Sequence, residues 1–113
     1  MALALDDLPK KVLLELRVIG GDDTPTANDQ SFVLDEYRMW RDEAERDWNI
    51  TWDEDDDVPS GAEKAVIYLM ANRVAVYYAK AWSPERQKMG EDLLRLSVRR
   101  KPTYEPPQGV DYF

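Results

Sequence analysis

Seven residues near the middle of the chain, Ala65-Val-Ile-Tyr-Leu-Met-Ala71, present apolar side chains around most of a helical circumference. A helix without a polar face has to be enclosed by its neighbours. The run therefore predicts a buried central helix, opened by a Ser60-Gly-Ala-Glu63 capping box and running to about Ala81. A chain of 113 residues is long enough for one domain around a single core. No strand alternation or internal repeat competes, so the expected fold class is all-α, a small bundle of four helices.

Periodicity and caps place the other three. Leu5, Leu8, Val12, Leu16 and Ile19 recur every three or four residues and predict a first helix beginning near Asp6–Leu8. Pro9 then falls in its first turn, where proline is tolerated, and Gly20-Gly21 would close it as a glycine C-cap. Thr26 followed by Asp29 resembles a capping box and opens a second helix. Its apolar stripe is Val33, Tyr37, Trp40, Ala44 and Trp48, with charges on the other face. Ser83 as N-cap and Pro84 as first helical residue start a fourth helix. Met89, Leu93 and Leu96 form its thin stripe, and Arg95, Arg99, Arg100 and Lys101 gather at its end, as the helix dipole favours. The aromatic set Tyr37, Trp40, Trp48, Tyr68, Tyr77 and Tyr78 reads as core and subunit contact.

The chain contains neither Cys nor His. That removes disulfides, thiolate chemistry, the commonest general base and the commonest transition-metal ligand together. Ser–His and Cys–His nucleophile arrangements cannot be built within one chain. Gly20-Gly21 lacks the flanking pattern of a phosphate loop. Asp53-Glu-Asp-Asp-Asp57 is the obvious oxygen-ligand cluster, but its sixth position is Val58 and Pro59 follows, against EF-hand spacing. Asp53, Asp55, Asp56 and Asp57 are expected to form a solvated acidic interface loop, with no metal, no cofactor and no enzymatic activity. No apolar run approaches a membrane span, and Met1-Ala-Leu-Ala-Leu lacks the basic leader of a signal peptide.

Charge is unevenly spread. Residues 1–57 carry 17 acidic and 6 basic side chains, a balance of −11, whereas residues 58–113 carry 6 and 9, a balance of +3. Such polarity suits copies that pack head to side, or an acidic part that meets a basic partner. It opposes sequence-independent DNA binding by the whole surface. The final stretch, Lys101-Pro-Thr-Tyr-Glu-Pro-Pro-Gln-Gly-Val-Asp-Tyr-Phe113, cannot continue a helix, yet its aromatics are unlike a solvating tail. Residues 1–101 therefore read as a helical domain and 102–113 as an extended arm for another subunit or a partner; folding back over its own domain is the alternative. Arg99 and Arg100 are either a phosphate or acidic-subunit contact or simply a cationic helix end.

The order of these pieces resembles the head-completion adaptors of short-tailed bacteriophages, also known as tail accessory factors or head-to-tail connectors. The resemblance rests on the first helix ending Val18-Ile-Gly20, the Thr24-Pro-Thr-Ala-Asn-Asp29 opening and the Trp-rich second helix. It continues through the acidic turn closing on Val58-Pro59, the apolar Ala65–Ala81 helix, the Ser83-Pro84 restart and the proline-rich C-terminus. It spans nearly the whole chain, in pattern and order more than in unique motifs, and the Asp53–Asp57 cluster is unusually acidic for it. The resemblance implies a virion protein of the neck, assembled in the host bacterial cytoplasm. Copies would form a ring, commonly of twelve, beneath the portal protein. The ring would extend the DNA channel, help retain packaged DNA that passes without sequence-specific binding, and dock tail or nozzle proteins. It further implies Tyr104, Pro106, Pro107, Val110, Tyr112 and Phe113 as the arm's contacts with portal or neighbour. Two readings of other classes stand beside it: a small acidic regulatory protein of the DNA-mimic type acting through the Asp53–Asp57 loop, and a metal-dependent hydrolase using that loop.

Overall fold

A computed structural model describes residues 3–21, 23–48, 50 and 52–99, with the side chains of Val98 and Arg99 outside the description. Among them the chain is all-α. Helices α1 (Leu8–Glu15), α2 (Ala27–Trp48), α3 (Glu63–Val74) and α4 (Pro84–Arg99) are joined by loops and two 3₁₀ turns, Ser60–Ala62 and Ala75–Tyr78. Helix α3 is the centre, packed by α1, α2 and α4. Its Ala65, Val66, Leu69, Met70, Ala71 and Val74 are all buried, as the apolar run requires. Around them close Leu8, Val12 and Leu13 of α1, Val33, Tyr37, Trp40 and Ala44 of α2, and Leu94 of α4.

Several ends differ from the sequence expectation. Helix α1 closes well before Gly20-Gly21. Val18 N–H reaches Leu13 O at 2.9 Å and Arg17 N–H reaches Leu14 O at 3.0 Å, the paired bonds of a Schellman ending. Arg17 takes the left-handed position at φ 60°, and Val18 beyond it packs on the core. The Ser60 box does not form: residues 60–62 make a 3₁₀ turn, and α3 begins at Glu63 without a side-chain cap. The central helix does not continue to Ala81 either. The Ala75–Tyr78 turn ends at Ala79, left-handed at φ 57°, with Lys80 N–H bonded to Ala75 O at 3.0 Å.

Two other ends agree. Asp29 N–H donates to Thr26 Oγ1 at 3.1 Å, and Arg86 N–H to Ser83 Oγ at 3.1 Å. Pro9 occupies the first turn of α1.

The buried face of α4 is not the expected one. Met89 and Leu96 are exposed and Leu93 is half-buried, while Leu94 is fully buried. Gly90 lies on the same face, and a Cβ there would come within 2.8 Å of the Leu69 side chain. The α3–α4 approach is so close that only hydrogen fits, which offsets the roughly 1 kcal/mol that glycine costs inside a helix.

Candidate interaction surface

Polar clamps set the walls of the surface. Arg41 of α2 is buried: its Nε donates to Trp52 O at 2.8 Å, its second guanidinium arm reaches the same carbonyl, and Glu45 accepts from the third. Trp52 Nε1–H donates to Tyr37 Oη at 2.8 Å. Burial, set against that bond, raises the Tyr37 pKa above its ordinary value. The loop after α2 is thereby fixed to α2. At its far end Leu3 and Val58 exchange backbone bonds of 2.8 and 2.9 Å in an antiparallel bridge.

Asn72 does the equivalent work on α3. Its Nδ2 donates to Ser83 O at 2.7 Å and to Gln87 Oε1 at 3.3 Å. Its Oδ1 accepts from Ser83 N–H at 3.1 Å and Arg86 at 2.9 Å. This holds the 79–83 connection and the start of α4 against the centre of the fold. Nothing in the sequence marked Asn72 or Arg41, because a polar residue that supports a loop carries no periodic signal.

With both connections held, α2, α3 and the start of α4 leave a cleft of about 260 Å³ between them. Three of the chain's four tryptophans line it: Trp40 as floor, Trp48 half-buried and Trp82 exposed at the rim. Glu43, Asp47 and Arg73 supply its charge. Arg73 donates to both Glu43 oxygens, at 3.2 and 3.1 Å, and to Glu36 at 3.0 Å. The hydrogen bonds from Arg73 lower the Glu43 pKa. Arg95 lies over the Trp48 ring, 5.2 Å from its centroid. The volume is below the roughly 300–1,000 Å³ of small-molecule sites. Side chains of a peptide fit it better than a whole cofactor.

A second aromatic group lies beside the Ala75–Tyr78 turn. Phe32 meets the Tyr77 and Tyr78 rings edge-on, at 4.9 and 6.1 Å between centroids. Tyr78 Oη donates to Asp29 Oδ1 at 3.0 Å. Burial, then that bond and the carboxylate charge, push the Tyr78 pKa up to about 12.

The expected site residues fare unevenly. Asp53, Asp55, Asp56 and Asp57 are exposed, in a turn where Asp53 N–H donates to Asp56 Oδ2 at 3.2 Å. Among the described residues no three acidic side chains converge as metal ligands would. Arg99 ends α4, and its side chain lies outside the description. Arg100, Tyr104, Pro106, Pro107, Val110, Tyr112 and Phe113 lie outside the described residues altogether. Of the predicted aromatic set, Tyr37 and Trp40 are core, Trp48, Tyr68 and Tyr78 half-buried, and Tyr77 exposed. The sequence reading did not single out Trp82. No described helix is long and apolar enough to cross a membrane. Comparison with protein-family models, curated proteins and solved structures returned no match.

Proposed function

We infer that this chain is the protomer of a head-to-tail adaptor ring in a short-tailed bacteriophage. It sits beneath the portal protein, extends the DNA channel, helps retain the packaged genome and offers a docking surface to tail components. Its role is structural, without a catalytic step. Residues 1–101 form the body, and residues 102–113 form an arm that contacts the portal or a neighbouring copy through Tyr104, Pro106, Pro107, Val110, Tyr112 and Phe113.

One observation supports this reading above the resemblance in pattern. Val76, Tyr77 and Trp82, 75%, 65% and 57% exposed, stand within seven residues and make up half of the six large apolar side chains exposed among the described residues. A free monomer gains nothing by wetting three large apolar side chains together, whereas a subunit contact buries them. Ring closure needs two different patches on one protomer, one meeting the other on the next copy. The 76–82 stretch and the arm supply two. The exposed Asp53–Asp57 loop supplies a third surface for a basic partner.

Light scattering of the full chain and of a 1–101 truncation, each alone and mixed with a candidate portal ring, tests the reading. A ring-sized complex formed by the full chain and lost on truncation is the expected result. A monomer indifferent to the portal and to truncation contradicts it. If neutralising Asp53, Asp55, Asp56 and Asp57 instead abolishes partner binding, the acidic regulatory reading takes its place.

A further inference from the structure

We propose that the cleft lined by Trp40, Trp48 and Trp82 is the receptor for residues 100–113 of a second copy of this chain, so that neighbouring protomers exchange arms. The proposal deepens the adaptor reading and rests on it for the ring; the contact itself is argued from the cleft and the arm.

The chemistry matches on two counts. Proline-rich segments dock into aromatic-lined grooves because prolyl rings stack flat on indole and phenol faces, and the free segment is already extended. The arm carries Pro102, Pro106 and Pro107 around Tyr104, and the cleft presents three indoles. Arg100-Lys101 immediately precede the arm, while exposed Asp47 and Glu43 border the cleft. Cations are drawn both to those carboxylates and to tryptophan faces. Arg95 over Trp48 already makes that kind of contact within the domain.

Direction decides between the chain's own arm and a neighbour's. Helix α4 begins beside the cleft, which Gln87 lines, and runs past Trp48, where Arg95 lies over the indole, to end at Arg99, one turn or about 6 Å further on. A chain leaving Arg99 is therefore aimed away from the cleft of its own domain. To enter that cleft it has to turn back beside Pro102, although proline and the residue before it both favour extended backbone. A neighbour's cleft receives the same stretch without any reversal.

The test uses the full chain carrying Tyr104→Ala, Pro106→Ala and Pro107→Ala, whose own arm no longer competes. A fluorescein-labelled peptide of residues 100–113 is titrated into it and followed by anisotropy. Saturable binding, weakened about tenfold or more when Trp82→Ala is added, is expected. Absence of binding, or binding indifferent to Trp82→Ala, overturns the proposal. The triple arm variant is also mixed in equal amounts with a chain carrying only Trp82→Ala. Each alone is expected to be a monomer by light scattering and the mixture a dimer, since one intact arm and one intact cleft remain per pair. A mixture that stays monomeric while the peptide binds gives the cleft to the chain's own arm and overturns the exchange. Neither readout contains a portal. A chain that passes both but ignores the portal ring keeps the arm–cleft contact and loses the adaptor reading; the converse result loses only the contact.

Discussion

Trp52 and Trp82 put the same side chain to opposite use. Trp52 is 7% exposed, gives its indole N–H to Tyr37 and lends its backbone carbonyl to the buried Arg41. Trp82 is 57% exposed, between the Ala75–Tyr78 turn and α4, although Asn72 holds the adjacent Ser83 backbone from both sides. A well-fixed backbone that holds a large indole in water marks a contact surface, because folding gains little from it. The region around Trp52 is built for stability; the region around Trp82 is where the proposed contact is placed.

That contrast breaks most visibly at Trp52. Trp52→Ala is expected to cost about 3–5 kcal/mol in urea denaturation, since it empties a core position and strands the Tyr37 hydroxyl. Asn72→Ala follows, at about 2 kcal/mol, because four partners around Ser83, Arg86 and Gln87 lose their bond at once. Arg17→Gly and Ala79→Gly run the other way. Both positions are left-handed without being glycine, so each substitution is expected to stabilise the fold by about 0.5–1 kcal/mol.

A smaller effect belongs to pH. The Tyr78 phenol has its pKa raised from 10.0 to about 12, so the folded state holds its proton more tightly than the unfolded chain does. Its contribution is complete below pH 10 and fades as pH rises toward 12. Alkaline denaturation of Tyr78→Phe beside the parent chain is expected to show a shallower loss across that window. Smallest of all is Trp82→Ala, expected to change stability by no more than about 0.5 kcal/mol, as exposed substitutions do.

The sequence made the outline of the fold readable through signals that repeat or are local. The unbroken apolar run specified α3 as the centre, and Thr26 and Ser83 carried their caps in their own residue types. What it hid were features defined by a neighbour. The buried face of α4 was misread because Gly90, its closest approach, has no side chain to register as apolar, while Met89 and Leu96 supplied a periodic stripe that water covers. Helix α1 ended early because burying Val18 outweighed the strain of a left-handed Arg17, a trade that no propensity at Gly20-Gly21 reveals. The cleft joins Trp40 and Trp48 of α2 with Trp82 from a distant part of the chain, and Trp82, alone between two helices, has no period to announce it. The arm is an expectation from composition alone, and residues 102–113 lie outside the described residues.

The most direct measurement pairs stability with binding for Trp82→Ala: a urea midpoint, and anisotropy of the 100–113 peptide with the arm-disabled chain. An unchanged midpoint and binding weakened about tenfold or more are the expected results. A lowered midpoint with unchanged peptide binding would make Trp82 another Trp52, a residue of the core, and would leave the cleft without an occupant.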